Sequence, residues 1–364
     1  MEQKLFAFWL CNLQGIGNRK IGRLLEYFGS PEAVFYGEES HFAKIPNLSK
    51  KDQERLAIGR SLDVLKRQYE EACRKGISFV YRDEGDYPEK LRQLEDMPYG
   101  IFYKGHLPIP SRPSVAVVGA RNASFEGKQL ADKFGYELAE NGIQVISGMA
   151  RGIDIAAQRG AMKAVYGRTY GVLGTGVDIC YPREHIEPYM IMQENGGVIS
   201  EFPLHTPALP YHFPMRNRII SGLSDGILVI EAGKESGSLI TAEIGLEQGK
   251  DIFVVPGNLM NPKYEGGNEL LKNGAGVVTK VQDILDGLGL FYDTDVVERK
   301  KKINVMLETT EEIVYASLSL EPVHISQIAQ KAGLEPVSAM EVLFSLQRKQ
   351  LVQTVGNNYY AIKL

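Results

Sequence analysis

The middle of this chain repeats one plan: a short apolar run, a glycine turn, then a segment with helical spacing. Val115-Ala116-Val117-Val118 runs into Gly119-Ala120-Arg121, and Gln144-Val145-Ile146-Ser147 runs into Gly148-Met149-Ala150-Arg151-Gly152-Ile153-Asp154. Tyr170-Gly171-Val172-Leu173 leads to Gly174-Thr175-Gly176. Gly226-Ile227-Leu228-Val229-Ile230-Glu231 leads to Ser236-Gly237-Ser238-Leu239-Ile240-Thr241. Apolar runs of this length alternating with helices make a parallel sheet with crossover helices. The loops at the carboxyl ends of such strands share one edge, where helix N-termini turn backbone N–H groups outward. Arg121 and Arg151 sit in two of these loops, so the pattern builds a site for an anion.

The missing motifs narrow the choice of anion. A nicotinamide site calls for G-x-G-x-x-G after the first strand and an acidic residue closing the second. Here the first loop is Gly119-Ala120-Arg121-Asn122-Ala123-Ser124 and the second strand ends in Ser147-Gly148. A phosphate-cradling G-x-x-x-x-G-K-[ST] loop is absent, since Gly127-Lys128 is followed by Gln129. No G-x-S-x-G elbow surrounds Ser147 or Ser200. His185, His205 and His212 lack metal-ligand spacing, so neither metal nor cofactor is expected, and no catalytic residue.

Tyr211-His212-Phe213-Pro214-Met215-Arg216-Asn217-Arg218 remains. His212 and Phe213 offer flat faces beside the guanidinium groups of Arg216 and Arg218. Rings stack on bases and guanidinium groups pair with phosphates, which suits single-stranded nucleic acid bound without sequence readout. One of the two arginines is expected to pair with Asp225, Glu201 or Glu231 and stiffen the sheet edge; the other, with Arg121, faces ligand. Pro214 should restrict Phe213 to an extended backbone and hold its ring at the mouth of the groove.

The 364 residues, 44% hydrophobic, are enough for two or three domains with their own cores. A net charge of -4 excludes a strongly basic nucleic-acid binder but leaves room for a local basic groove. Cys11, Cys73 and Cys180 are far apart, which argues against a disulfide framework or structural zinc and fits a reducing cytoplasm. No run reaches the length of a membrane span, and Leu5 to Leu10 reads as a core helix rather than a signal peptide.

The expected organisation has four parts. Residues 1–70 form a small helical unit in which Gly15-Ile16-Gly17 links two helices as in a helix-hairpin-helix, with amides free to approach DNA phosphates. The second would-be hairpin, Ile45-Pro46-Asn47-Leu48-Ser49, lacks the paired glycines. Residues 75–285 form the α/β domain. Residues 286–302, ending in Arg299-Lys300-Lys301-Lys302, read as a mixed-charge linker. Residues 303–364 read as three helices and a hairpin, a winged helix. Its would-be recognition helix opens on Glu335 and Glu341, so a packing or protein-contact role is expected rather than sequence reading.

Taken in order, these motifs resemble one family. Gly119-Ala120-Arg121, Ser147 to Asp154, Gly171 to Asp178 with Tyr181-Pro182, Ser200-Glu201-Phe202-Pro203, Phe213 to Ile220, Glu231-Ala232, Ser236 to Ala242, Val255 to Asn258 and Gly266 to Leu271 are similar to the DNA-processing protein A family, DprA or Smf. The resemblance covers most of residues 80–280. It implies an extended Rossmann-like, doubly wound, mostly parallel sheet, flanked by a SAM or helix-hairpin-helix-like unit and a winged helix. It also implies a cytoplasmic, non-catalytic protein that binds single-stranded DNA, protects it during natural transformation and loads RecA recombinase onto it. A homodimer formed through the α/β domain is implied, and no membrane partner. The candidate DNA-binding residues are Gly119, Ala120 and Arg121; Ser147, Gly148, Met149, Arg151 and Gly152; His212, Phe213, Arg216, Asn217 and Arg218; and Ser236, Gly237, Ser238 and Thr241. Two positions depart from the family pattern: Gln158, where a His is usual, and Arg151, where many members carry a small or different polar residue.

The alternative is an enzyme. The Ser236–Glu243 run also looks like the nucleoside-monophosphate phosphoribohydrolases, which hold phosphate on a Gly-Gly-x-Gly-Thr loop and cleave a glycosidic bond with an Arg and a Glu. Here that glycine pattern is missing, and Glu243 is the one candidate acid near the loop.

Overall fold

Alternation along the buried strands decides how this chain layers. Val115 and Val117 point to one face of the sheet and Ala116 and Val118 to the other, each into its own core, because successive strand residues alternate sides. The computed structural model describes residues 2–58, 60–165, 167–290, 309–319, 321–349 and 351–362.

Among the described residues, nine strands make the main sheet. They are β1 (Ser78–Tyr81), β2 (Gly100–Gly105), β3 (Ser114–Gly119), β4 (Gln144–Ser147), β5 (Thr169–Val172), β6 (Gly197–Ser200), β7 (Gly226–Ile230), β8 (Asp251–Val254) and β9 (Gly276–Val277). Their order is β1-β2-β6-β5-β4-β3-β7-β8-β9. From β6 to β9 all neighbours are parallel; β2 joins β6, and β1 joins β2, antiparallel. The chain builds outward from β3 through β4, β5 and β6, then returns to lay β7 and β8 on the other side of β3. The β3/β7 junction is therefore the point where strand order reverses, and open α/β sheets keep their ligand crevice outside the carboxyl ends there.

Helices cover both faces. Phe125–Glu140, Ile153–Lys163 and Val281–Gly287 cover one; His212–Gly222 and Gly237–Glu247 cover the other. The close approach of the first two rests on glycine: a Cβ on Gly135 would meet the Ala157 carbonyl at 2.0 Å, and one on Gly160 the Asp132 carbonyl at 1.9 Å.

The N-terminal helices pack directly on the sheet. The Phe8 ring meets Phe79 and Phe102, each at 5.7 Å, and Leu5 to Cys11 share one core with Met149, Leu173 and Tyr189. The boundary expected near residue 70 falls inside the helix Leu62–Arg74. Gly15 (φ +82°) turns between the helices Glu2–Cys11 and Asn18–Phe28. The second turn repeats this without glycine, because Asn47 takes the left-handed conformation (φ +62°), which asparagine tolerates. The two turns hold each other. Lys20 Nζ donates to the Gly15 carbonyl and pairs with Asp52 at 2.8 Å, and Arg23 donates to the Pro46 carbonyl. Asp52 also caps its own helix, its carboxylate accepting from the Ser49 amide at 2.9 Å.

In the tail, helices Thr309–Ala316, Ile325–Ala332 and Pro336–Arg348 enclose a core of Val314, Ile328, Leu343 and Leu346. A small antiparallel sheet of β10 (Val323–His324), β12 (Tyr359–Ile362) and β11 (Val352–Gly356) completes it. The helix Pro336–Arg348 exposes Val337, Met340 and Phe344 along its length, and its one cation, the exposed Arg348, comes only at its end. The expected linker run Arg299–Lys302, with the start of the tail, lies outside the described residues.

Candidate functional site

A cleft of about 610 Å³ opens at the β3/β7 switch point. Gly119, Ala120 and Arg121 come from the loop after β3, and Ala150 and Asp154 from that after β4. Phe213, Pro214, Arg216 and Asn217 come from the first turns of His212–Gly222. Glu235 to Ser238 and Thr241 come from the start of Gly237–Glu247, and Lys263 closes the rim.

Two buried carboxylates shape the walls. Glu231, at the end of β7, has a positive φ of 53° and accepts hydrogen bonds from the Ser124 amide (2.8 Å) and hydroxyl (2.7 Å). Lys263 lies 3.5 Å from it and donates to the Asn122 carbonyl. A Cβ on Gly127 would collide with Glu231 Oε2 at 1.8 Å, so that glycine serves the buried acid, not a ligand. Asp154 accepts from the Gly148 and Ala150 amides at 3.1 and 3.4 Å. Burial pushes its pKa up, against the opposing charge of Arg216 and these two amides.

Arg216 is the floor. Only 3% of it is exposed. Its guanidinium donates to the Gly148 carbonyl at 2.8 Å and to the Val172 carbonyl, tying the loop after β4 to the end of β5. Burial pulls its pKa down to about 10, with Asp154 working against the shift and Arg121 adding to it. The group remains charged at neutral pH but is poorly solvated, so an anion in the cleft gains from it more than from a surface cation. Arg121 is exposed at the mouth, its guanidinium carbon 5.2 Å from the centre of the Phe213 ring. Across the cleft the helix Gly237–Glu247 presents its first turn. Ser236 caps it weakly, accepting from the Ser238 amide at 3.4 Å, and no acidic residue stands in that turn. Such a terminus favours negative charge.

The structure gathers ten of the expected residues on this cleft: Gly119, Ala120, Arg121, Phe213, Arg216, Asn217, Ser236, Gly237, Ser238 and Thr241. The others lie off it. Arg218 is buried and pairs with Glu201 at 2.6 Å and Asp96 at 2.7 Å; it braces the opposite side of its helix. His212 is buried, bonded to the Gly174 carbonyl and stacked on Phe202 at 4.2 Å, so its face is taken. Ser147 bonds the Val117 carbonyl between strands, and Met149 is fully buried. Gly148 leaves room for the Arg216 guanidinium, and Gly152 (φ +81°) would place a Cβ 2.1 Å from the Ala120 carbonyl. These two glycines answer to protein packing. Arg151 is exposed and pairs with Glu184 at 2.6 Å, outside the cleft lining. Phe213 is not extended: it belongs to the first turn of His212–Gly222, since proline is tolerated there, where the missing N–H has no helical partner to lose. Glu243, the acid of the alternative reading, is exposed and does not line the cleft.

Asp154, Glu235 and Lys263 were not foreseen. Asp154 stood in the quoted Gly-Ile-Asp run, where a carboxylate behind an arginine loop was the available signal. Lys263 lies far along the chain and reaches the rim only through the fold. Among the described residues no group of three or more His, Cys, Asp or Glu side chains could hold a metal ion. No described helix is long and apolar enough to cross a membrane.

Residues 78–289 match the family described as DNA recombination-mediator protein A. Protein Smf of Escherichia coli (strain K12) is 36% identical over 288 residues, covering 77% of this chain and 76% of that protein. DNA processing protein DprA of Streptococcus pneumoniae is 35% identical over 280 residues, covering 77% and 96%. The X-ray structure of DNA processing protein A from Streptococcus pneumoniae matches with a TM-score of 0.61 at 32% identity, over 78% of this chain and 97% of that one. A structure of DNA processing protein A from Helicobacter pylori, described for its single-stranded DNA binding mode, matches at 0.53 and 29%, over 58% and 95%.

Proposed function

The chain belongs to the DNA recombination-mediator protein A family, and from that premise we propose that it binds single-stranded DNA along the carboxyl edge of its sheet. It acts in the cytoplasm as a homodimer, protects strands taken up in transformation and passes them to a RecA-type recombinase. The observation that carries this reading is the pairing of an exposed cation with an aromatic ring above a buried one: Arg121 over Phe213, with Arg216 beneath. A single strand offers phosphates to such cations and bases to nearby rings, whereas a duplex keeps its bases stacked inside. The cleft is recessed, and the helix N-terminus at Gly237 favours a phosphate over a neutral ligand.

Fluorescence anisotropy with a labelled single strand, and with the duplex of the same sequence, tests this. Tighter binding of the single strand, weakened by Arg121→Ala at unchanged melting temperature, is expected. Equal affinity for duplex, or an unaffected variant, would overturn it. Release of free adenine from AMP by the purified protein would instead favour the nucleotide-cleaving reading.

A further inference from the structure

The ring of Phe213 is enclosed by protein on several sides. Arg121 stands 5.2 Å from its centre and Arg216 6.0 Å. The Tyr181 ring lies 5.5 Å away at an interplanar angle of 38°. A Cβ on Gly174, just past β5, would sit 2.9 Å from Phe213 Cδ1, so the glycine is what admits the ring against the sheet edge. The residue is half-buried among these neighbours. Tyr181 is different: it is 44% exposed on the outer side of the same pair. Arg151 is exposed as well and pairs at 2.6 Å with the exposed Glu184, three residues past Tyr181. An ion pair of that kind contributes little and yields readily to a competing phosphate.

We propose that Tyr181 is the residue on which a nucleobase stacks, and that Phe213 is a positioning residue that holds the Arg121 guanidinium over the mouth of the cleft. This rests on the single-strand reading above and extends that site outward. The track runs Arg121, Phe213, Tyr181, Arg151: a cation for one phosphate, an inward ring that fixes it, an outward ring for the base, and a cation for a further phosphate. Guanidinium groups lie well on aromatic faces. A ring that holds Arg121 still saves the entropy of ordering a long side chain when the phosphate arrives.

Abasic DNA separates the two roles, since it keeps every phosphate and removes every base. Binding is measured by anisotropy on an oligothymidylate and on an abasic strand of the same length and charge. Tyr181→Ala should weaken oligothymidylate binding by about 5- to 150-fold, the equivalent of about 1–3 kcal/mol for one stacked base. It should leave abasic binding unchanged, and Tyr181→Phe should behave as wild type. Phe213→Leu should weaken both strands alike and add little in an Arg121→Ala background, while Phe213→Tyr, which keeps the ring, retains affinity on both. A Tyr181→Ala loss equal on the two strands, or absent, overturns the base assignment. A Phe213→Leu loss confined to oligothymidylate makes Phe213 the stacking residue and overturns its positioning role. Failure of the wild-type protein to bind either strand defeats the single-strand reading itself.

Discussion

A Cβ on Gly148 would stand 2.2 Å from the Arg216 guanidinium, so the bare backbone at 148 and the buried cation at 216 are one feature. The guanidinium cannot simply swing aside, because it is bonded to the Gly148 and Val172 carbonyls and faces Asp154. Gly148→Ala is therefore expected to displace Arg216 and to lose single-strand affinity as Arg216→Ala does. Groups that act through one contact are not additive, so the double variant should bind no worse than either single one. Dissociation constants for the three proteins check this; additive losses would show two independent roles.

The sheet and the arginine loop were legible because alternation, glycine punctuation and loop position are local in sequence. The reasons for the individual glycines were not. Gly148 and Gly152 look like places where a phosphate approaches backbone. Their neighbours prove to be Arg216 and the Ala120 carbonyl, both distant in sequence. Arg216 and Arg218 were indistinguishable for the same reason: two residues apart on a helix they point to different sides, and only the fold reveals which side holds Glu201. Asn47 shows the opposite case: the second hairpin lacks the paired glycines, yet asparagine takes its left-handed turn.

Salt should report on the phosphate contacts. Each phosphate neutralised on a single strand contributes about -0.7 to the slope of log affinity against log salt. Arg121, Arg216, Lys263 and Arg151 together give a slope of about -3 per protomer, and Arg121→Ala should reduce its magnitude by about 0.7. An Arg121→Ala protein with an unchanged slope would place that guanidinium off the DNA path.

Acid should act on the N-terminal turns. Burial pushes the Asp52 pKa up, but hydrogen bonds from Lys20 and Ser49 and the Lys20 charge outweigh it and hold the pKa below the usual carboxylate value. A depressed folded pKa means stability that is present above the unfolded value, about 3.9, and lost as pH falls through the folded one. Asp52→Asn should therefore lower the melting temperature at neutral pH and flatten its fall below about pH 4. A variant whose acid profile parallels the wild type would remove Asp52 from the linkage between the two turns.

Arg218 and Arg121 should separate stability from binding. Arg218 is 8% exposed and answers Glu201, a carboxylate whose pKa burial raises and the Arg218 charge opposes. Removing one partner of a buried pair strands the other and costs about 3–5 kcal/mol. Arg218→Ala should thus unfold at markedly lower denaturant, while the protein that remains folded binds single strands with wild-type affinity. Arg121 has an exposed guanidinium and no ion-pair partner among the described residues. Arg121→Ala should melt as wild type and lose affinity. Denaturant titration and anisotropy on the same two proteins decide it. If Arg218→Ala loses affinity while remaining folded, the cation on the far side of the helix reaches DNA. If Arg121→Ala loses stability instead, its contact with Phe213 serves the fold and the cleft has lost its outermost phosphate ligand.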